Sequence, residues 1–214
     1  MTSSLFRLVL FLLLPGLLTG CSWLLRSGPE KQYYMLQAQR SQETLQQKQD
    51  SALLVRPFSI SQAFEGQELI LQIEQDRFVA DYKRRFLIPA QDMITELTRN
   101  WLAESGLFSH VLPQGAKGVQ ADYHLQARIH SLYLDQSGQQ PATVLEMEFL
   151  LLGRQDRKLQ ILGQESIRKE SELQRLSASE AIQAWSRDLA LTLQELESCL
   201  QEWLPHENMA WDTD

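Results

Sequence analysis

Cysteine is nearly absent: the chain of 214 residues holds two, Cys21 and Cys199. Two cysteines cannot build the disulfide framework that props up small secreted domains, and there is no Cys-x-x-Cys pair to bind metal or shuttle electrons. Basic residues are outnumbered, 20 Lys+Arg against 27 Asp+Glu. That balance argues against nucleic acid as a partner. Long apolar runs are also missing. The one candidate, Leu8 to Leu14, is broken by Pro15-Gly16 and falls short of the roughly 20 apolar residues that a helix needs to cross ~30 Å of hydrocarbon. Nor does the chain contain a Gly-rich phosphate loop, a Gly-x-Ser-x-Gly elbow or a His-Glu-x-x-His run. With none of these signals, we expect a protein that performs no reaction and carries no cofactor or metal.

What is present begins at the N-terminus. Arg7, the apolar stretch, Pro15-Gly16 and Leu18-Thr19-Gly20-Cys21 follow the order of a secretory signal peptide. The last four residues resemble a lipobox, in which small residues precede the cysteine whose sulfur takes a diacylglycerol. The expectation is a signal peptide over 1–20, cleavage before Cys21 and lipidation of Cys21. Each buried methylene of the acyl chains adds ~0.8 kcal/mol to the anchor. Position 22 is Ser and not Asp, which by resemblance to the sorting rule of diderm bacteria favours the periplasmic face of the outer membrane. Loss of residues 1–20 removes Arg7 and no acid, leaving 19 Lys+Arg against 27 Asp+Glu and a net charge of −8. Cys199 then has no intramolecular partner. It reads as a half-buried helix residue, the alternative being a bridge between subunits.

Residues 21–32 read as a tether, 33–204 as one α+β domain, and 205–214 as an acidic tail. Tyr33-Tyr34-Met35-Leu36 suits a short strand, and 37–50 a polar, Gln-rich loop. Ala52 to Ile60 reads as a strand paired in its first half because of Pro57, followed by a hairpin over Leu69–Ile73 and Arg77–Tyr82. Pro89 opens a helix with Ala90, Ile94, Leu97 and Trp101 on one face, and Gly106 suits its left-handed end. After a short strand at His110-Val111-Leu112 come three β-runs: 122–135, 143–154 and 158–170. Their links are short, which favours an antiparallel meander. In the first run Tyr123, Leu125, Ala127, Ile129 and Tyr133 alternate with His124, Gln126, Arg128 and His130. In the second, Leu145, Met147, Phe149 and Leu151 alternate with Glu146 and Glu148. One covered and one wet face are implied. A last helix starts at Ser179-Glu180, carries Ile182, Trp185, Leu189, Leu193, Leu196, Leu200 and Trp203 at helical spacing, and stops at Pro205. The expected architecture is an α/β sandwich, a mostly antiparallel sheet with both amphipathic helices packed on one face.

Three groups of residues invite a functional reading. His124, His130, Glu146 and Glu148 have metal-ligand chemistry on adjacent strands, but six residues of strand put the two imidazoles roughly 20 Å apart. A charge ladder, with Arg128 and Arg168 across from the glutamates, is the stronger reading. Tyr123, Met147, Phe149 and Trp185 could line a lipid cleft between sheet and helices, though a packed core would use the same residues. The segment from Arg77 to Phe86 sets Lys83, Arg84 and Arg85 between Tyr82 and Phe86 in an acidic protein. Arg77, Tyr82, Lys83, Arg84, Arg85 and Phe86 are therefore candidates for partner binding, the bland alternative being an edge strand kept soluble by charge.

The lipobox, Tyr33-Tyr34-Met35-Leu36, the stretch Asp81-Tyr82-Lys83-Arg84-Arg85-Phe86-Leu87-Ile88-Pro89 and the helix closing in Trp101-Leu102-Ala103-Glu104-Ser105-Gly106-Leu107-Phe108 occur in that order. In this the chain resembles the ABC-type transport auxiliary lipoproteins, the group of paraquat-inducible protein C. The resemblance implies a periplasmic, non-catalytic subunit of an intermembrane lipid transport system. Its partners would be an ABC transporter or integral-membrane components and proteins of the mammalian cell entry (MCE) type, and it would tend to form homo-oligomers. Other classes open to a lipidated α/β domain are an adaptor that activates cell-wall synthases and a lipid carrier.

Overall fold

A computed structural model describes residues 30–45, 49–116, 120–155 and 158–205. Its elements are β1 (Gln32–Tyr34), β2 (Gln49–Val55), β3 (Ser59–Ile60), β4 (Glu68–Glu74), β5 (Arg77–Phe86), α1 (Ala90–Ser105), β6 (Phe108–Leu112), β7 (Tyr123–Asp135), β8 (Ala142–Gln155), β9 (Lys158–Glu172) and α2 (Ala178–Trp203). Among the described residues no helix is long and apolar enough to cross a membrane. Cys21 and the tail beyond Pro205 lie outside the described residues.

Strand β7 is the spine of the sheet. Along one edge it pairs antiparallel with β8 over its whole length, and β9 extends the meander. Along the other edge three segments follow one another in parallel with it: β2 at Tyr123–Leu125, β3 at Arg128–Ile129 and β4 at Leu134–Asp135. Outside these, β6 lies parallel to β2, β5 antiparallel to β4, and β1 parallel to β5. The sheet is thus mixed, which corrects the expectation of a mostly antiparallel one. The meander and the hairpin are antiparallel as their short links require. The first half of the chain joins the second across α1, and a connection through a helix lets strands pair in parallel.

Pro57 divides what reads as one strand into β2 and β3. The bend puts Phe58, 4% exposed, under α1, where its N–H donates to Thr95 Oγ1 at 3.0 Å. Helix α1 starts after Pro89 and ends at Gly106, whose φ of 77° is left-handed. A Cβ at Gly106 would also sit 2.5 Å from the carbonyl oxygen of Leu45, so both the turn and the close approach need glycine. Helix α2 begins at Ala178, a residue before the expected start, because Ser177 is the cap and its Oγ accepts the Glu180 N–H at 3.1 Å. Ala181, Trp185, Leu189, Leu193, Leu196 and Leu200 are wholly buried from α2, against Leu145, Met147, Phe149 and Leu151 of β8.

Two further expectations change. A bulge at His130 shifts the β7–β8 register between Ile129 and Ser131. Beyond it Leu132 and Leu134 take the covered face, and Tyr133, expected there, turns outward. The stretch 37–45 has no regular structure, as expected, but it is firmly attached. Gln37 N–H donates to Ser186 Oγ at 3.1 Å, Leu45 N–H to the Ser105 carbonyl at 2.9 Å, and Arg40 meets the carboxylate of Glu197 at 2.7 and 3.0 Å. Trp101 Nε1 donates to the same carboxylate at 2.9 Å. Glu197 thus joins the strap to both helices.

Candidate functional site

The basic segment lies on β5. Opposite it, Leu69 of β4 registers with Asp81 and Glu68 with Arg85, so Tyr82, Lys83 and Arg84 are extra residues that bulge out of the ladder. Asp81 closes the bulge. Its Oδ1 accepts the N–H groups of Lys83 and Arg84 at 3.0 and 3.1 Å, and its Oδ2 accepts Arg84 Nε. Burial alone would raise the Asp81 pKa, but the Arg84 guanidinium and the two N–H groups outweigh it and hold the carboxyl below its ordinary value.

The six candidates therefore separate. Phe86 is 3% exposed and packs against Trp185 with ring centroids 6.0 Å apart, so it belongs to the core and cannot meet a partner. Arg84 is paired with Asp81, while Arg85 meets Glu68 at 2.9 Å and Gln67 Oε1 at 3.2 Å. Arg77 pairs with Glu74 at the hairpin turn, at 3.2 Å and in solvent. Tyr82, 71% exposed, and Lys83 stand out on the bulge. β1 pairs with only Arg84–Phe86 of β5, so the edge that carries Tyr82 and Lys83 is open. Beside it Phe78, Val79 and Tyr33 are about half exposed. The surface offered is aromatic and apolar with one lysine that pairs with no described acid, less basic than the triplet suggests.

The same hairpin carries a feature that the alternation pattern hid. Tyr133, turned out by the bulge at His130, stacks on Phe64 at 5.7 Å, and Phe78 meets both rings edge-on at 6.1 and 5.4 Å. The signal was in the sequence: Ile129-His130-Ser131-Leu132 breaks a strict alternation. Farther along the outer face the charge ladder is present. Arg168 reaches Glu146 at 3.1 Å, and His130 Nε2 lies 3.0 Å from Glu148. His130 and Gln164 draw the Glu148 carboxyl below its ordinary value. Among the described residues no group of three or more potential ligands could hold a metal ion.

Met147, Phe149 and Trp185 are fully buried, Trp185 Nε1 donating to the Val144 carbonyl at 3.1 Å, and Tyr123 packs on Phe108 at 5.9 Å. They are core side chains. Cys199 is half-buried on α2. Burial and the nearby Glu165, Glu195 and Glu202 raise its pKa, which keeps the thiol protonated and a poor nucleophile.

A family model described as ABC-type transport auxiliary lipoprotein component matches residues 34–197. No curated protein matches the chain. Among solved structures, a protein from Xanthomonas campestris is 15% identical with a TM-score of 0.64, over 81% of this chain and 94% of that one. An uncharacterised protein is 14% identical with a TM-score of 0.62, over 80% and 99%. At such identities the likeness is one of fold.

Proposed function

The chain belongs to the family of ABC-type transport auxiliary lipoprotein components, and from that premise we propose that it serves an intermembrane lipid transport system as a non-catalytic docking subunit. Cys21, acylated, holds it to the periplasmic face of the outer membrane. The folded domain meets MCE-type proteins and the ABC transporter or integral-membrane components of the same system. The observation that carries this reading is the extent of the family match, which runs from the last residue of β1 through most of α2. The lipobox ahead of it supports the anchorage.

The exposed bulge of β5 is the docking surface in this reading. Tyr82 and Lys83 offer an exposed ring and a charge that pairs with no described acid, on a stretch of strand edge that β1 leaves uncovered. The core position of Met147, Phe149 and Trp185 removes the support for a carrier with a cleft between sheet and helices.

The test is affinity purification of the full-length lipoprotein expressed at native level. Recovery of MCE and ABC subunits is expected, and the pair of changes Tyr82→Ser and Lys83→Glu should abolish it while the melting temperature holds. Recovery of cell-wall synthases alone would sink the transport reading. Unchanged recovery by the double variant would move the docking surface elsewhere.

A further inference from the structure

The outer face of the sheet is not wet throughout. At the Tyr123 end of β7, Leu54 registers with both Leu112 of β6 and His124 of β7, and His124 with Leu152 of β8. This row turns away from the helices, which are covered by Leu53, Leu125 and Leu151 on the other face. A pocket of about 370 Å³ opens there, lined by Leu54, Leu112, Ala121, His124 and Arg154 with the turn at Gly115-Ala116.

Its polar groups are unsatisfied in one sense. His124 is 7% exposed, and its Nδ1 lies 3.4 Å from Arg56 Nη2. A guanidinium only donates, so Nδ1 accepts and the ring proton sits on Nε2. That Nε2 is buried with no hydrogen-bond partner. Neither Arg56 nor Arg154 makes a salt bridge with any described acid. Asp122, two residues before His124, uses its Oδ2 to accept the Ala52 N–H at 2.8 Å. Arg154, in no salt bridge with a described acid, and His124, whose Nε2–H has no acceptor, thus both line an apolar pocket, with Arg56 against the imidazole, in a protein whose net charge is negative.

We propose that this pocket binds the anionic head of an amphiphile, a phosphate or carboxylate carried on an apolar body. The oxyanion would accept from His124 Nε2–H and meet Arg154, with Arg56 behind the ring fixing the tautomer. The apolar body would cover Leu54 and Leu112, which a bare phosphate leaves against water. The site lies on the sheet face away from the helices, and it stands independently of the transport reading.

The full-length lipoprotein in non-ionic detergent, titrated with hexyl phosphate, inorganic phosphate and hexanol, tests it. The His124 side chain is followed by two-bond 1H–15N correlation. Hexyl phosphate is expected to shift Nε2 and saturate, and to bind about tenfold or more tighter than either part alone. Arg154→Gln, at an exposed position, and His124→Gln should each weaken it by about tenfold at unchanged melting temperature. Should His124→Gln unfold the protein, Arg154→Gln alone decides. Hexanol binding as tightly as hexyl phosphate, inorganic phosphate doing so, or an unaffected Arg154→Gln variant would each overturn the proposal. Displacement of hexyl phosphate by a short-chain phosphatidic acid would identify a phospholipid head as the source. Failure to displace it would identify a single-chain anion.

Discussion

At the scale of single residues, the Glu197 carboxylate does more for the fold than any surface charge. It takes Arg40 and Trp101 Nε1 together, with the side chains of Arg40 and Glu197 only 3% and 7% exposed. Glu197→Gln leaves the guanidinium of Arg40 buried without its counter-charge, and removing one partner of such a pair costs about 3–5 kcal/mol. Urea unfolding should show that loss, whereas Lys169→Gln, which breaks the more exposed bridge to Glu195, should cost about 1 kcal/mol or less. His124 sets a pH dependence. Burial pushes its pKa below the ordinary 6.5, and Arg56 and Arg154 push the same way. The folded state therefore favours the neutral ring, and this contribution is full above 6.5 and is lost as pH falls through the lower folded value. Between pH 7.5 and 5 the native protein should lose more stability than His124→Gln, read as the difference in melting temperature. Equal losses would mean that the ring charges as easily folded as unfolded. None of this could be read from the sequence, because Arg40, Trp101 and Glu197 meet across long stretches of chain, and His124 sits in an alternation that places it on a wet face.

At the scale of elements, the local punctuation was legible and the pairing between distant strands was not. Pro89 and Gly106 bound α1 because a fixed φ and a left-handed φ are properties of single residues. The meander followed from short links. Parallel addition of β2, β3 and β4 along one edge of β7 depends on where α1 delivers the chain, which no local pattern encodes. The bulge at His130 explains why Tyr133 faces outward, since one extra residue exchanges the two faces of everything that follows. A second close approach ties an element to its neighbour. A Cβ at Gly163 of β9 would lie 2.0 Å from the ring of Trp203 at the end of α2. Gly163→Ala should therefore displace the indole and destabilise the protein by about 1–3 kcal/mol. Tryptophan fluorescence and denaturant unfolding would register both effects, and an unshifted spectrum would mean that the indole is not held there.

At the scale of the whole molecule, family and fold agree with a domain that has one helix-covered face and one outer face carrying several distinct regions: the aromatic cluster at the β4–β5 hairpin, the charge ladder in the middle and the apolar pocket at the far end. The candidate site was half legible. Tyr82 and Lys83 stand exposed as the basic segment suggested, while Phe86 went to the core because it ends the strand where β1 and Trp185 close over it. Sequence spacing fixes which residues share a strand, not which strand is covered. Attachment should be separable from folding. Cys21→Ala is expected to move the protein from the membrane to the soluble fraction, with the melting temperature of the domain unchanged. If transport then persists at native expression, the anchor is dispensable to the proposed role.

The strap over residues 37–45 has a mechanical meaning. A lipid-held protein engaged by a partner is loaded in tension through its N-terminal chain, and that load enters the domain at Gln32. Strand β1, with three paired residues, would peel first. The next obstacle is not another strand but the clamp of Arg40 on Glu197, backed by Leu36 at 2% exposure and by the Leu45–Ser105 hydrogen bond. Once β1 has peeled, pulling force would be handed to the two helices before it reaches the remaining strands, so that β7 and the surfaces built on it would keep their shape while the leash is taut.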